Sequence, residues 1–134
     1  MSKKKKEIYA VDADVEDLAR LYGVIRLAIG ATTLVAPSLV AKLWMGRGAE
    51  DAVSRVGMRG LGGREAAIGL GTLLALENGG PVRGWLEAGA LADAADAFSV
   101  VAARKTLPAS RWMLGAGIAA ASAWFCTQIA AELD

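Results

Sequence analysis

The chain has no histidine. It therefore lacks the commonest haem and metal ligand and the ordinary proton shuttle near neutral pH. Its one cysteine, Cys126, excludes an intrachain disulfide or a CxxC redox pair. Set in an apolar run, Cys126 reads as a buried structural thiol. Ser99, Ser110 and Ser122 have no neighbouring base to activate them, and no residues stand at metal-ligand spacing. Neither a catalytic residue nor a metal site nor a resident cofactor is expected, and the chain reads as non-enzymatic. The formal net charge of +1 leaves no basic footprint for nucleic acid.

What the chain has in quantity is apolar and small residues. Hydrophobic residues make up 54% and glycine numbers 16, with a mean hydropathy of +0.38 although 22% of residues are charged. Small side chains let helices approach closely inside a bilayer, where water cannot drive packing. The pattern predicts an all-α chain of 134 residues in one unit. Residues 1–13 are expected to form a polar basic and acidic tail, and 14–134 an up-down four-helix transmembrane bundle. Lys3 to Lys6 leads into acidic sequence, unlike the order of a signal peptide.

Asp14 is the expected N-cap of a first helix over 15–35, closed by Pro37. A short interfacial helix over 38–45 follows, with Trp44 and Lys42 at headgroup level. The second long helix is expected over 50–76 and ends on Glu77-Asn78-Gly79-Gly80-Pro81, where Asn78 or Gly79 supplies a left-handed cap. The third runs over 81–103 and the fourth over 109–131, with Pro81 and Pro108 near their starts. Trp85 and Trp112 suit an aromatic belt, whereas Trp124 is expected inside the bundle.

Nine positions repeat with six identities: Ala28-Ile29-Gly30-x-x-Thr33-Leu34-x-Ala36 returns as Ala67-Ile68-Gly69-x-x-Thr72-Leu73-x-Ala75. If the repeat has structural meaning, Gly30 and Gly69 are helix-packing points on equivalent faces.

The charges are placed where a bilayer penalises them. Arg26, Arg64, Glu65, Asp93 and Asp96 interrupt otherwise apolar stretches. A central charge costs about 2.5–3.5 kcal/mol to insert, while each Leu, Val or Phe returns about 0.3–0.6. The third helix cannot offset Asp93 and Asp96 that way. They share a face at i,i+3, and that face must look inward. In an up-down bundle Arg26 reaches the depth of Asp93, so the two are expected to pair. The fourth helix, uncharged between Arg111 and Glu132, is expected to serve as the apolar wall. Arg59 and Arg64, beside the glycines at 57–63, are candidates for a lipid phosphate. Those glycines are not a nucleotide loop, because no strand precedes them and no Gly-Lys-Ser/Thr follows.

The arginine before Gly30, the closing Pro37, the Arg59-Gly60-x-Gly62-Gly63-Arg64-Glu65 stretch and the paired aspartates resemble small four-helix bacterial membrane proteins of unknown function in the DoxX-like group. The resemblance covers about 18–131. It implies this fold and a bacterial inner-membrane location, and the group has been linked to quinone-associated or oxidative-stress roles. Two functional readings stand. One is a non-enzymatic structural or accessory subunit of a membrane complex, partnered by the lipid bilayer, by other subunits or by itself. The alternative is a small transporter or a lipid- or quinone-binding protein using the Arg26/Asp93 centre. A soluble Ala-rich bundle is a third, weaker fit. Cytoplasmic termini are favoured by Lys3 to Lys6, against the basic residues that would then lie on the far side.

Overall fold

The computed structural model describes residues 3–46 and 51–133, with side chains from Asp14 onward. Five α-helices and no strands occur among them: α1 (Lys3–Val35), α2 (Pro37–Met45), α3 (Ala52–Asn78), α4 (Val82–Ala102) and α5 (Ala109–Glu132).

Helix α1 departs most from expectation. Within the tail expected over 1–13 the helix already runs from Lys3, so Asp14 lies inside it and is not an N-cap. Nothing between Lys3 and Asp14 breaks a helix, since the segment holds neither Gly nor Pro and opens on four lysines and a glutamate. A single residue, Ala36, separates α1 from α2, whose first residue is Pro37. The expected start of the second long helix at 50 lies outside the described residues. Asp51 caps α3 by accepting from the backbone N–H of Val53 (2.8 Å) and Ser54 (3.0 Å). Bonds from Ser54 hold the Asp51 carboxyl below the usual carboxylate range. Gly79 ends α3 in the left-handed region at φ 64°, which only glycine enters without cost. Pro81 stands one place before α4 rather than inside it.

Close approaches fix the topology. Gly23 and Gly30 of α1 meet Gly69 and Gly62 of α3 in reversed order, so the two helices are antiparallel. Arg64 meets Asp96 while Gly71 meets Trp85, and Ser122 meets Asp93 while Gly115 meets Val100, so α3/α4 and α4/α5 are antiparallel as well. Glu16 and Leu133 border the same cleft as Gly79 to Arg83, placing that part of α1 and the end of α5 beside that turn.

The α1–α3 contact carries the internal repeat. A Cβ on Gly30 would lie 2.3 Å from the Ala66 nitrogen and 2.7 Å from the Gly62 oxygen. A Cβ on Gly69 would lie 2.5 Å from the Leu27 nitrogen and 2.6 Å from the Gly23 oxygen. Partners on the two sides are related by the same shift of 39 that relates the repeats. Thr33 and Thr72, one shift apart, are both fully buried. Each hydroxyl donates to the carbonyl four residues back, Ile29 (2.7 Å) and Ile68 (2.8 Å). The two helices thus meet about a local two-fold axis, as identical subunits do in an isologous dimer.

Two segments are long and apolar enough to cross a membrane: Asp14–Val35, of mean hydropathy 1.4, and Ala109–Glu132, of 1.3. Helices α3 and α4 do not reach that standard, because each carries central charges. Trp124 corrects an expectation: it is 66% exposed on the outer face of α5 rather than packed inside.

Candidate functional site

Every charged residue marked in the apolar stretches except Arg59 enters one cluster at mid-height, where four long helices contribute side chains. Arg26 of α1 is its centre, buried to 4% exposure. One end of its guanidinium, Nη1, donates to Glu65 Oε2 of α3, and the other, Nη2, pairs with Asp93 Oδ2 of α4. Arg26 therefore bridges two acids on two helices rather than pairing with Asp93 alone. Because Arg26 and Glu65 are related by the repeat shift, this ion pair sits at the local two-fold. A face that glycine lets approach closely thus carries opposite charges at its two equivalent positions.

Arg64 forms the second half. Its Nη1 and Nη2 donate to the two oxygens of Asp96, at 3.0 and 2.5 Å, the parallel fork that guanidinium geometry favours. Nη2 also reaches Glu65 Oε1 at 3.0 Å. The two arginines considered for a lipid phosphate are placed differently. Arg64 turns inward to the acids, while Arg59 is exposed.

Two participants were not marked from the sequence. Ser122 of α5 donates to Asp93 Oδ2 at 2.6 Å, so α5 is not a purely apolar wall. Tyr22, one turn before Arg26, lies beneath it with the guanidinium carbon 4.8 Å from the ring centroid. The i,i+4 spacing to Arg26 was a usable signal for Tyr22. For Ser122 there was none beyond its place midway along an uncharged helix. Tyr22 leaves no room for a side chain opposite: a Cβ on Gly89 would lie 1.9 Å from its hydroxyl.

Charge does not balance. Glu65, Asp93 and Asp96 face Arg26 and Arg64, so among the described residues the cluster holds one negative charge in excess. The three carboxylates bring oxygens within 4.8 Å of one another. The expectation that no metal-ligating group exists is thereby revised, since three acids from two helices converge although no spacing in the sequence announced it. Oxygen ligands at this separation suit a hard cation. Here two guanidiniums already lie against those oxygens and do the work a metal ion would do.

Two buried polar atoms make no close hydrogen bond among the described residues, Arg26 Nε and the Tyr22 hydroxyl, the latter facing the Cys126 thiol. Both residues line a cavity of about 200 Å³ whose floor is Glu65, Asp93, Asp96 and Ser122. Outside it lies a second cavity of about 440 Å³ between α1, α2 and α5. The two share Ile29, Thr33, Val40, Trp44 and Ile118, so they form one cleft with a waist. Its walls are apolar almost throughout. At the outer mouth Arg111 of α5 donates to the Leu43 carbonyl, tying α5 to the end of α2.

Comparison with protein families, curated proteins and solved structures finds no match for this chain.

Proposed function

We propose that this chain is a small, non-enzymatic integral membrane protein of four spanning helices that binds a hydrophobic molecule with a polar head. The observation that carries the reading is the cleft, walled by apolar side chains and floored by a buried ion cluster with two unsatisfied polar atoms. Buried polar groups without partners cost about 1–3 kcal/mol each, and a ligand head that reaches them recovers part of that cost.

Membrane residence rests on the outer surface. Only 33% and 28% of the most apolar windows of α1 and α5 are buried, unlike the core helices of a soluble protein. Helix α4 fails the hydropathy test, yet its outward Leu91 and Phe98 are 73% and 75% exposed while Asp93 is buried. A hydropathy average counts paired, inward charges as though they met lipid. With those set aside, α3 and α4 present apolar faces suited to acyl chains. The DoxX-like resemblance in the sequence supports the same reading.

Replacement of Ile118, which lines the waist, by tryptophan tests the binding reading. Protein purified in mild detergent is expected to carry hydrophobic small molecules detectable by mass spectrometry, and Ile118→Trp is expected to lose them while remaining folded. Equal retention in both proteins would overturn the cleft as the binding place. Resistance of the protein to alkaline carbonate washing is expected, and release into the wash would remove the membrane reading. The structural-subunit reading draws on the same outer apolar faces. It predicts a partner protein that co-purifies whether or not Ile118 is changed.

A further inference from the structure

We infer that the outer chamber of the cleft seats an anionic phospholipid, with its phosphate at Arg111 and one acyl chain along the apolar wall between α1, α2 and α5. The inference rests on the membrane residence proposed above and not on occupancy of the inner chamber. Its first support is the make-up of the chamber. Ile29, Val40, Leu43, Leu114 and Ile118 line its 440 Å³ with hydrocarbon, and Arg111 is the one charged residue among the described residues around it.

The second, independent support is the state of Arg111. Arg26 and Arg64, deeper in the bundle, are each held by two carboxylates. Arg111 instead donates from Nη1 to the Leu43 carbonyl, a neutral acceptor near the end of α2, and no carboxylate among the described residues pairs with it. That bond holds the guanidinium at the mouth and leaves its charge uncompensated. A guanidinium carries five N–H donors in a planar fork, which matches the oxygens of a phosphate.

The third is the level at which the mouth lies. The antiparallel topology brings the ends of α1 and α4 and the starts of α3 and α5 to the end of the bundle that holds α2. Lys42, Arg55, Arg104, Lys105 and Arg111 stand there, past the ion cluster, with Asp51 the one acid among the described side chains. Helix α2 exposes Leu39, Leu43 and Trp44 beside Lys42, the composition of a helix lying at headgroup level. A basic end of this kind attracts anionic lipid.

Lipid tails are as apolar as the chamber wall, so the chain alone gives no preference over the surrounding bilayer and the headgroup charge decides. A zwitterionic lipid offers the same phosphate but brings an ammonium into the basic end. A soluble phosphate compound matches Arg111 and leaves the apolar chamber unfilled. The excess negative charge of the ion cluster lies beyond the waist, at the other end of the cleft from the phosphate.

Phosphatidylglycerol and phosphatidylcholine with identical chains share the phosphate and differ in net charge. Native mass spectrometry of the delipidated protein in neutral detergent, titrated with each, gives the two affinities. Phosphatidylglycerol is expected to bind at least about tenfold tighter. Arg111→Gln is expected to abolish that preference and Arg111→Lys, which keeps the charge, to retain most of it. Arg83→Gln, at the opposite end of the bundle, lowers the net charge equally and is expected to leave the preference unchanged. Equal binding of the two lipids by the unaltered protein, or a preference that survives Arg111→Gln, would overturn the inference. Loss of both lipids together in Arg111→Gln would also overturn it, since Arg111 would then act by tying α5 to α2. Displacement of phosphatidylglycerol by soluble glycerol phosphate would replace the lipid with a soluble anion. None of these failures touches the membrane reading, which the carbonate wash decides separately.

Discussion

Between α1 and α3 the backbones themselves touch, whereas between α1 and α4 side chains reach across. At the first contact Gly30 and Gly69 leave no room for even a methyl group, and the approach is repeated about a local two-fold that also holds the Arg26–Glu65 ion pair. At the second, Arg26 extends to Asp93 and to the Gly89 carbonyl (3.4 Å), and a cavity opens beside them. Close packing leaves nowhere for a ligand, while charged side chains at a looser junction define both a site and its selectivity. The molecule therefore combines a rigid helix pair, α1–α3, with a second pair, α4–α5, joined to it through a polar seam. The site lies beside that seam, where the cavity is bounded by side chains of α1, α3, α4 and α5 rather than by the glycine contact.

If the seam depends on charge, removing its cation and removing one of its anions should not cost the same. Arg26→Leu strips two acids of their shared partner and raises the excess negative charge, an expected loss of about 3–5 kcal/mol. Asp96→Asn relieves the excess and is expected to cost less than about 1 kcal/mol, with Asp96 already partly solvated. Denaturation in one detergent gives both values. Comparable losses in the two variants would mean that the cluster is balanced by a group not described here. The double variant Arg26→Leu/Asp93→Leu should cost less than the sum of its single changes, because one orphaned acid is removed with the arginine.

The glycine contact should respond to volume and not to charge. Gly30→Ala and Gly69→Ala each place a methyl group against a backbone nitrogen, and each is expected to cost up to about 3 kcal/mol. The local two-fold makes the two losses similar, which is the sharper half of the expectation. Gly57 and Gly60, in the same helix, have open space at the Cβ position. Alanine there is expected to stabilise α3 by about 0.5–1 kcal/mol. A neutral Gly30→Ala paired with a costly Gly69→Ala would break the symmetry argument.

These contrasts also separate what the sequence revealed from what it hid. The repeat was visible as six shared letters, and its physical meaning followed once glycines fell at its matching positions. Helix ends at Pro37, Gly79 and Pro108 were legible because proline and glycine act locally. The convergence of Glu65 with Asp93 and Asp96 was not legible, because the rotation of one helix against another decides it. Trp124 was misplaced for a related reason: aromatic type alone does not tell the outward face of an apolar helix from the inward one. The extension of α1 back to Lys3 was missed because polarity was read as absence of helix, although Lys, Glu and Ala all favour it.

Ser122 tests whether α5 belongs to the polar seam or merely flanks it. Its hydroxyl donates to Asp93, and hydrogen bonds to charged groups contribute about 1.5–3 kcal/mol. Asp93 retains Arg26 after Ser122→Ala, so the expected loss is near the lower figure. Ser99→Ala is the comparison, since the Ser99 hydroxyl donates to the Ala95 carbonyl on an exposed face, and it is expected to change stability by less than about 0.5 kcal/mol. Equal effects from the two serines would return α5 to the role of an apolar wall.

The smallest expected effect lies outside the seam, at the start of α3. Asp51 accepts bonds from Val53 and Ser54, and those bonds favour its charged form, so its folded pKa lies below the unfolded value of about 3.9. The cap therefore contributes fully above the unfolded pKa and is lost as pH falls through the lower folded value. Stability of the unaltered protein and of Asp51→Ala, followed from pH 7 to pH 2, should differ by a small amount that closes only in that acid window. A difference that persisted at pH 2 would show that the aspartate acts through packing rather than as a charged acceptor.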